Sequence, residues 1–478
     1  MHTVSSVVVV VAYGALLSFV AVRARAAREF SEFSLAKRAL PLALVFGSLA
    51  ATYVGPAFSI GFVGRGFKSG LLFLVIGLAY SIQNILVGLF VAPRLRRLKE
   101  CHTLGDAIGQ KYDQKCQVLA GVISVGLCAG FAAVMAKAGG DVLQDIFGLP
   151  HWSSVFIVVA VTALYTTFGG LRASVITDAF QFSAFAILLP LTLLWILCFH
   201  FDGGAGAFAE QASLATDEGI AATPVIEIVA LLAAFLLGET LIPPYANRAL
   251  ASKTTRISRN GFVLAGCFSV AWFAVMAALG IVARDVIPAA EIKAMGAGGK
   301  EIEDLVLITL FRSTMPAAGY ALLLVVLISI IMSSLDSLLN AGAVAFTQDI
   351  VKPFADLPDR AALSVGRSAT IIIALTAAAG AVAVDSIING LLICYAIWAP
   401  AILPALIIGL WVKHPRPLAG ILSMGVGSFV AVALWVTFEF ILDWRAETEI
   451  ARIIIPALAA ALLAYVVGHC MQKNNSGA

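Results

Sequence analysis

Long apolar runs alternate with short polar segments along the whole chain. Thirteen runs reach membrane-crossing length, near 3–23, 40–64, 70–93, 117–142, 151–168, 174–200, 224–247, 260–283, 317–345, 364–384, 386–411, 417–441 and 448–468. A crossing helix needs roughly 20 mostly apolar residues. Strands of a membrane barrel would instead alternate with period two over about ten residues. These runs are apolar on every face, so the pattern predicts an all-α polytopic membrane protein with about 13 transmembrane helices.

Composition supports this reading. Of 478 residues, 61% are hydrophobic and only 12% charged, with a mean hydropathy of +0.98. The charged share is about half that of ordinary soluble proteins. A soluble enzyme, a disordered chain, collagen and a coiled coil are thereby excluded. No basic surface suited to nucleic acid is apparent, and the seven cysteines and six histidines are too scattered for a metal site or a disulfide framework. The net charge of +3 says less than its distribution. Of the lysines and arginines, 22 fall in one set of alternate loops, counting Arg248, and eight in the other, while Lys137 lies inside a span. The positive-inside rule then predicts a multi-pass protein of the cell membrane, N-terminus outside and C-terminus cytoplasmic. The first run has its positive charges after it, so it reads as a span and not as a cleaved signal. The longest loops, 201–223 and 284–316, are too short for a soluble domain. No G-x-x-x-x-G-K-[ST] loop points to ATP as energy source.

Two spans interrupt themselves. The second carries Gly55-Pro56 at mid-length, and the seventh carries Gly238 followed by Pro243-Pro244. Proline removes a backbone donor. In lipid a freed carbonyl needs another partner, so such breaks line cavities or bind something. The two spans lie five apart and run in opposite directions, which is the pattern of inverted repeats around a midplane site. Two unrelated proline kinks are the alternative. The chain then divides into a leading helix and loop (1–39), a first repeat (40–200), an inverted second repeat (224–411) and two additional helices (412–478), all in one transporter domain.

Polar residues at membrane depth supply candidate chemistry. Ser329, Ser333, Asp336, Ser337 and Asn340 share one face of the ninth span. Hydroxyls and one carboxylate, with carbonyls freed near Gly55, suit a small hard cation such as Na⁺. Serines also glue membrane helices together, but a buried carboxylate costs several kcal/mol unless paired. Asp178, one turn before Gln181, either faces cytoplasmic water or coordinates a cation. Glu239, inside the seventh-span break, either contacts solute or a proton, or accepts backbone N–H bonds. Tyr53, Phe58, Tyr80, Phe131, Tyr245, Tyr395 and Trp398 are candidate pocket-lining aromatics.

Three separated stretches resemble the sodium:solute symporter family, which has the LeuT-type fold: ALYTTFGGLRASVITDAFQF (163–182), MSSLDSLLNAGAVAFTQDIVKP (332–353) and GSLAATYVGPAFSIGFVGRGF (47–67). The resemblance implies a LeuT-like 5+5 inverted repeat with one helix before it and two after. It implies Na⁺ as coupling ion, no organic cofactor, and import of a small organic solute by alternating access. It places the main sodium site on Ala51, Val54, Ile330, Ser333 and Ser334, and a further sodium on Asp178, Asp336 and Ser337. Solute would bind at Thr52, Tyr53, Gly55, Phe58, Tyr80, Phe131, Glu239, Tyr245, Tyr395 and Trp398. SSLDSLLN and YANRALASKTT look nearest to the choline-transporter-like branch. That branch's expected tryptophans are Tyr53, Ile242 and Phe131 here, which leaves amino acids, carboxylates and other small amines open as substrates. A proton-coupled transporter using Asp178, Asp336 or Glu239 is the alternative; a channel or an intramembrane enzyme would need a continuous polar pore or a catalytic constellation that the residues do not supply.

Overall fold

A computed structural model describes residues 12–14, 27–297, 302–442 and 446–475. Regular structure there is helical, apart from one isolated bridge between Leu40 and Ser252. The short helix α1 (Phe30–Leu35) precedes α2 (Leu42–Tyr53), α3 (Phe62–Ser69), α4 (Leu72–Leu86), α5 (Gln114–Phe147) and α6 (His151–Phe199). Then come α7 (Gly204–Ala222), α8 (Val225–Leu237), α9 (Pro243–Ala251), α10 (Thr255–Val286), α11 (Ile302–Thr314) and α12 (Ala317–Ala345). The last four are α13 (Asp359–Gly380), α14 (Ile387–Trp411), α15 (Pro417–Val436) and α16 (Ala446–Asn475). Among the described residues nine helices are long and apolar enough to cross a membrane, or eleven if each of two bent pairs is one span. The run at 3–23 lies almost wholly outside the described residues.

Local signals set the ends of several helices. Asp113 caps α5 by accepting from the Cys116 N–H at 2.8 Å, and Gly148 ends it in the left-handed region at φ 64°. Thr254 caps α10 through the Ile257 N–H. The expected spans 151–168 and 174–200 are joined through Arg172 without a loop. A straight helix of α6's 49 residues would be about 73 Å long, more than twice the bilayer core. It is broken at Gly170, with φ 60° and ψ −162°. A side chain there would be strained, and its Cβ would stand 2.7 Å from the Phe33 Cα of α1. The segment 201–223, read from sequence as a loop, holds α7, which meets α8 at 103°. The segment 284–316 likewise folds into helix, including α11.

α12 is the central post. Of its most apolar stretch 94% is buried, against 22% for α6. It packs on α5, α6 and α13 and touches α2 and α9, while α10 packs on α2, α3 and α4. Both interrupted spans therefore reach the centre. α11 lies across one end of the bundle. Its Glu303 pairs with Arg65 (3.0 Å) and Lys68 (2.9 Å) of α3, and its Asp304 with Lys137 of α5 (2.6 Å). Lys137, the lone basic residue assigned to the interior of a span, thus has a buried partner on that helix.

Candidate functional site

The two breaks arise directly from proline. Pro56 cannot donate to the carbonyl of Thr52, and the chain leaves helix at Val54 and Gly55 before resuming through a wide turn at Ala57–Gly61. α2 and the segment Ala57–Ser69 are bent by 61°. The Val54 carbonyl accepts instead from Ser59 Oγ (2.6 Å), and the Phe58 carbonyl from Trp272 Nε1 (3.1 Å). In the seventh span α8 ends at Leu237, and Leu241 turns through φ 50° before Pro243 opens α9. Pro244 cannot serve the Thr240 carbonyl. Trp398 Nε1 does so from α14 at 3.1 Å, and Thr240 Oγ1 accepts from Gln83 Nε2 at 2.7 Å. Side chains from other helices replace the lost backbone donors, as an apolar surrounding requires.

The break in the second span faces the serine pair of α12. A Cβ added to Gly55 would lie 2.7 Å from Ser334 Oγ, so only glycine lets the two approach. Ala51, Val54 and Ile330 have no solvent exposure, and Ser333 and Ser334 are buried beside them. Ser334 Oγ has no hydrogen-bond partner among the described residues, and neither does Asp178 Oδ1 within ordinary hydrogen-bond distance; the Ser333 hydroxyl faces the Asp178 carboxylate. Buried oxygens left unsatisfied are costly. Hydroxyl, carboxylate and carbonyl oxygens gathered at a helix break are a donor set suited to Na⁺.

The rest of the polar stripe divides. Ser329 Oγ bonds to Tyr13 OH (2.6 Å) and to the Val325 carbonyl (2.7 Å), while Gln181 Nε2 also reaches Tyr13 OH (3.0 Å). Asn340 Nδ2 bonds to the Phe33 carbonyl. These three tie helices together. Asp336 is fully buried and accepts from Tyr165 OH (3.0 Å), Ser174 Oγ (2.9 Å) and Ser337 Oγ (3.1 Å).

Asp178 does not face cytoplasmic water: it has no exposure. Its Oδ2 accepts from Ser48 Oγ (2.5 Å) and from Arg248 Nη2 (3.0 Å). Arg248 itself is fully buried and is not the loop residue that the charge count assumed. Its Nε donates to Ser48 Oγ (2.9 Å), its Nη1 to the Pro244 carbonyl (3.0 Å), and its Nη2 also to Ser337 Oγ. A guanidinium therefore lies against two of the three residues expected to hold a further cation. Arg248 escaped the sequence reading because its span was ended at 247. Its position one helical turn after Pro244 was the available signal.

The second break opens on aromatic residues. Glu239 Oε2 accepts from Tyr245 OH at 2.6 Å, and Tyr80 OH is 2.9 Å from Tyr245 OH. The hydroxyls of Tyr80 and Tyr395 also face the carboxylate. Tyr53 packs edge-on to Tyr245 with ring centroids 4.6 Å apart, and Phe58 stacks on Tyr80 at 4.4 Å. Phe131 and Phe235 each lie 5.9 Å from Tyr395. The ten residues expected to contact solute are all buried, and the side chains among them are at most 8% exposed. Nine belong to this cluster or to the two breaks; Thr52 turns its hydroxyl back to the Ser48 carbonyl (2.8 Å).

With this geometry in view, comparison with known proteins is decisive. The profile of the sodium:solute symporter family matches residues 33–425. The chain belongs to the sodium:solute symporter family. Among its relatives in that family, the osmoregulated proline transporter OpuE of Bacillus subtilis is 25% identical over 458 residues, covering 93% of this chain and 90% of that one. The sodium/proline symporter 2 of Staphylococcus saprophyticus is 25% identical, with 95% and 90% covered. The sodium/pantothenate symporter of Escherichia coli is 25% identical over 58% of this chain and 59% of its own. In fold, the chain is similar to a Na⁺-coupled sialic acid symporter in a substrate-bound outward-open state, with TM-score 0.78, 16% identity, and 97% and 98% covered. The chain is thus a multi-pass, Na⁺-coupled symporter of a small-molecule solute and not an enzyme, and the proton-coupled alternative is not favoured. None of the relatives just named is a choline transporter.

Proposed function

We propose that Na⁺ enters between α2 and α12, held by the carbonyls of Ala51, Val54 and Ile330 and the hydroxyls of Ser333 and Ser334, and that solute binds beside it at the two breaks. The observation that carries this reading is the unpartnered Ser334 hydroxyl set against Gly55. Sodium bound there ties α12 to the broken span and favours the state open to the outside. Solute closes the pocket over Glu239 and the tyrosines, and the bundle then opens inward. The relatives' names give proline and pantothenate as solutes; a small organic solute of that kind is the one proposed for the aromatic cluster.

The proposed topology keeps the N-terminus outside and the C-terminus in the cytoplasm, with 21 basic residues, once Arg248 is removed, still opposing eight. The exposed Cys470 tests it: a variant retaining only that thiol should react with an impermeant maleimide from the cytoplasmic side alone. We further propose that Arg248 supplies the positive charge at the second cation position, so that one Na⁺ accompanies each solute. One ion suffices energetically. A potential of 100 mV gives about 2.3 kcal/mol, and a tenfold gradient about 1.4 kcal/mol more, enough for roughly 500-fold accumulation of a neutral solute. Purified protein in proteoliposomes tests the whole reading. An inward Na⁺ gradient should drive uphill uptake with a sodium dependence of Hill coefficient near one. Uptake that ignores sodium would remove the reading, and a coefficient near two would remove the role given to Arg248.

A further inference from the structure

Glu239 is 4% exposed inside a helix break of a membrane-spanning domain, and no basic side chain pairs with it among the described residues. The groups that face it are the hydroxyls of Tyr245, Tyr80 and Tyr395, all neutral. Arg248, on the same helix as Tyr245, spends four of its five N–H donors on Ser48, Asp178, Ser337 and the Pro244 carbonyl. Glu239 is therefore a carboxylate whose counter-ion the described residues do not supply. A carboxylate so placed requires a cation or a proton.

We infer that the solute carries a protonated or alkylated nitrogen, which pairs with Glu239 inside a box of tyrosine rings. The inference rests on the symport reading above and names its solute class. The surrounding surface selects an organic cation over a bare metal ion. Tyr53, Tyr80, Tyr245 and Phe58 present ring faces and edges within one cluster, and ring faces attract ammonium groups that carry apolar substituents. Sodium has its own oxygens at Ser333 and Ser334. The Tyr53 hydroxyl forms no hydrogen bond among the described residues, which leaves a donor free for a polar substituent of the solute. An anionic solute without nitrogen meets a like charge here, and a neutral sugar leaves the carboxylate uncompensated.

The test uses the intact protein in proteoliposomes under an inward Na⁺ gradient, with labelled choline, proline, glucose and pantothenate. Sodium-driven uptake should be confined to the ammonium-bearing pair. Glu239→Gln should raise the half-saturating concentration of that solute at least tenfold and leave the half-saturating sodium concentration within twofold. Sodium-driven uptake of glucose or pantothenate overturns the solute class and leaves symport standing. Ammonium uptake without any sodium requirement sinks the symport reading and leaves the pairing with Glu239 in place. Should Glu239→Gln fail to fold, wild-type binding decides. Thermal unfolding in Na⁺ should shift upward with choline, proline or tetramethylammonium and not with glucose or pantothenate; the absence of a shift with all three nitrogen cations overturns the inference.

Discussion

Asp178 and Glu239 are both carboxylates buried in the helical core, yet their surroundings differ in one respect. Asp178 meets a guanidinium within 3.0 Å, and that guanidinium also donates to Ser48, Ser337 and a backbone carbonyl. Glu239 meets only neutral tyrosine hydroxyls. In the first region Asp178 has its counter-charge within the protein, and the bonds around it fasten α2, α6, α9 and α12 together, while the neighbouring Asp336 receives only neutral hydroxyls. In the second, no basic side chain among the described residues answers Glu239, so a proton or a partner from outside completes it. Burial alone therefore does not mark a binding residue; a missing counter-charge set at a helix break among aromatic rings is the stronger signal.

The largest expected effect tests the first half of that contrast. Removing one member of a buried ion pair strands the other and costs about 3–5 kcal/mol. Arg248→Gln and Asp178→Asn should each lower the thermal unfolding midpoint and the yield of monodisperse protein. The double variant should recover most of the loss, because neither partner of the pair is left stranded. Equal, additive losses in the double variant would show that the pair is not coupled. Glu239→Gln should behave in the opposite way. With no basic partner to strand, its stability should stay within about 1 kcal/mol of wild type, or rise, because burying an uncompensated carboxylate is itself costly. Its defect should appear instead in solute affinity. A collapse in stability matching that of Asp178→Asn would erase the distinction between the two regions.

Much of this was readable from the sequence. Continuous apolar runs fixed the membrane helices, because lipid demands roughly 20 residues per crossing. Gly55-Pro56 and Pro243-Pro244 announced both breaks, because proline's missing donor is a local property of the chain. Pairings between distant residues were less legible. Nothing near position 248 states that Asp178, 70 residues earlier, will meet it, and the positive-inside count consequently placed Arg248 in a loop. The serine stripe of α12 has one periodicity, yet Ser329 bonds to Tyr13 and Ser334 Oγ has no partner among the described residues. Helical spacing identifies a face but not what packs on it. The kink of α6 at Gly170 depends likewise on the close approach of Phe33, a tertiary contact.

The serine pair of α12 offers a third case, and Ser334→Ala sharpens the comparison there. The hydroxyl has no partner among the described residues, so its loss should leave stability nearly unchanged. Removing one ligand oxygen from the proposed ion site should cost about 1–1.5 kcal/mol of binding, the worth of one hydrogen-bond-like interaction. The sodium concentration for half-maximal uptake should rise about five- to twelvefold. The solute's own affinity at saturating sodium should be preserved. An unchanged sodium dependence would take Ser334 out of the site and leave its unpartnered oxygen without a function.

The smallest effect separates ring from hydroxyl at Tyr53. This side chain is fully buried at the first break, packed edge-on against Tyr245, and its hydroxyl forms no hydrogen bond among the described residues. Tyr53→Phe removes only an unsatisfied polar atom, so stability should change by less than about 0.5 kcal/mol, and upward if at all. The ring face remains, and with it the attraction for an ammonium group. Solute affinity should therefore move less than threefold. Tyr53→Leu removes the ring as well; loss of one cation–π contact, about 0.5–2 kcal/mol, should weaken solute binding by two- to thirtyfold. Measured side by side with Glu239→Gln, the pair distinguishes a pocket that holds its solute by ring and charge from one that merely surrounds it. If Phe and Leu at 53 are indistinguishable in solute affinity, the aromatic share of recognition disappears and Glu239 alone must carry it.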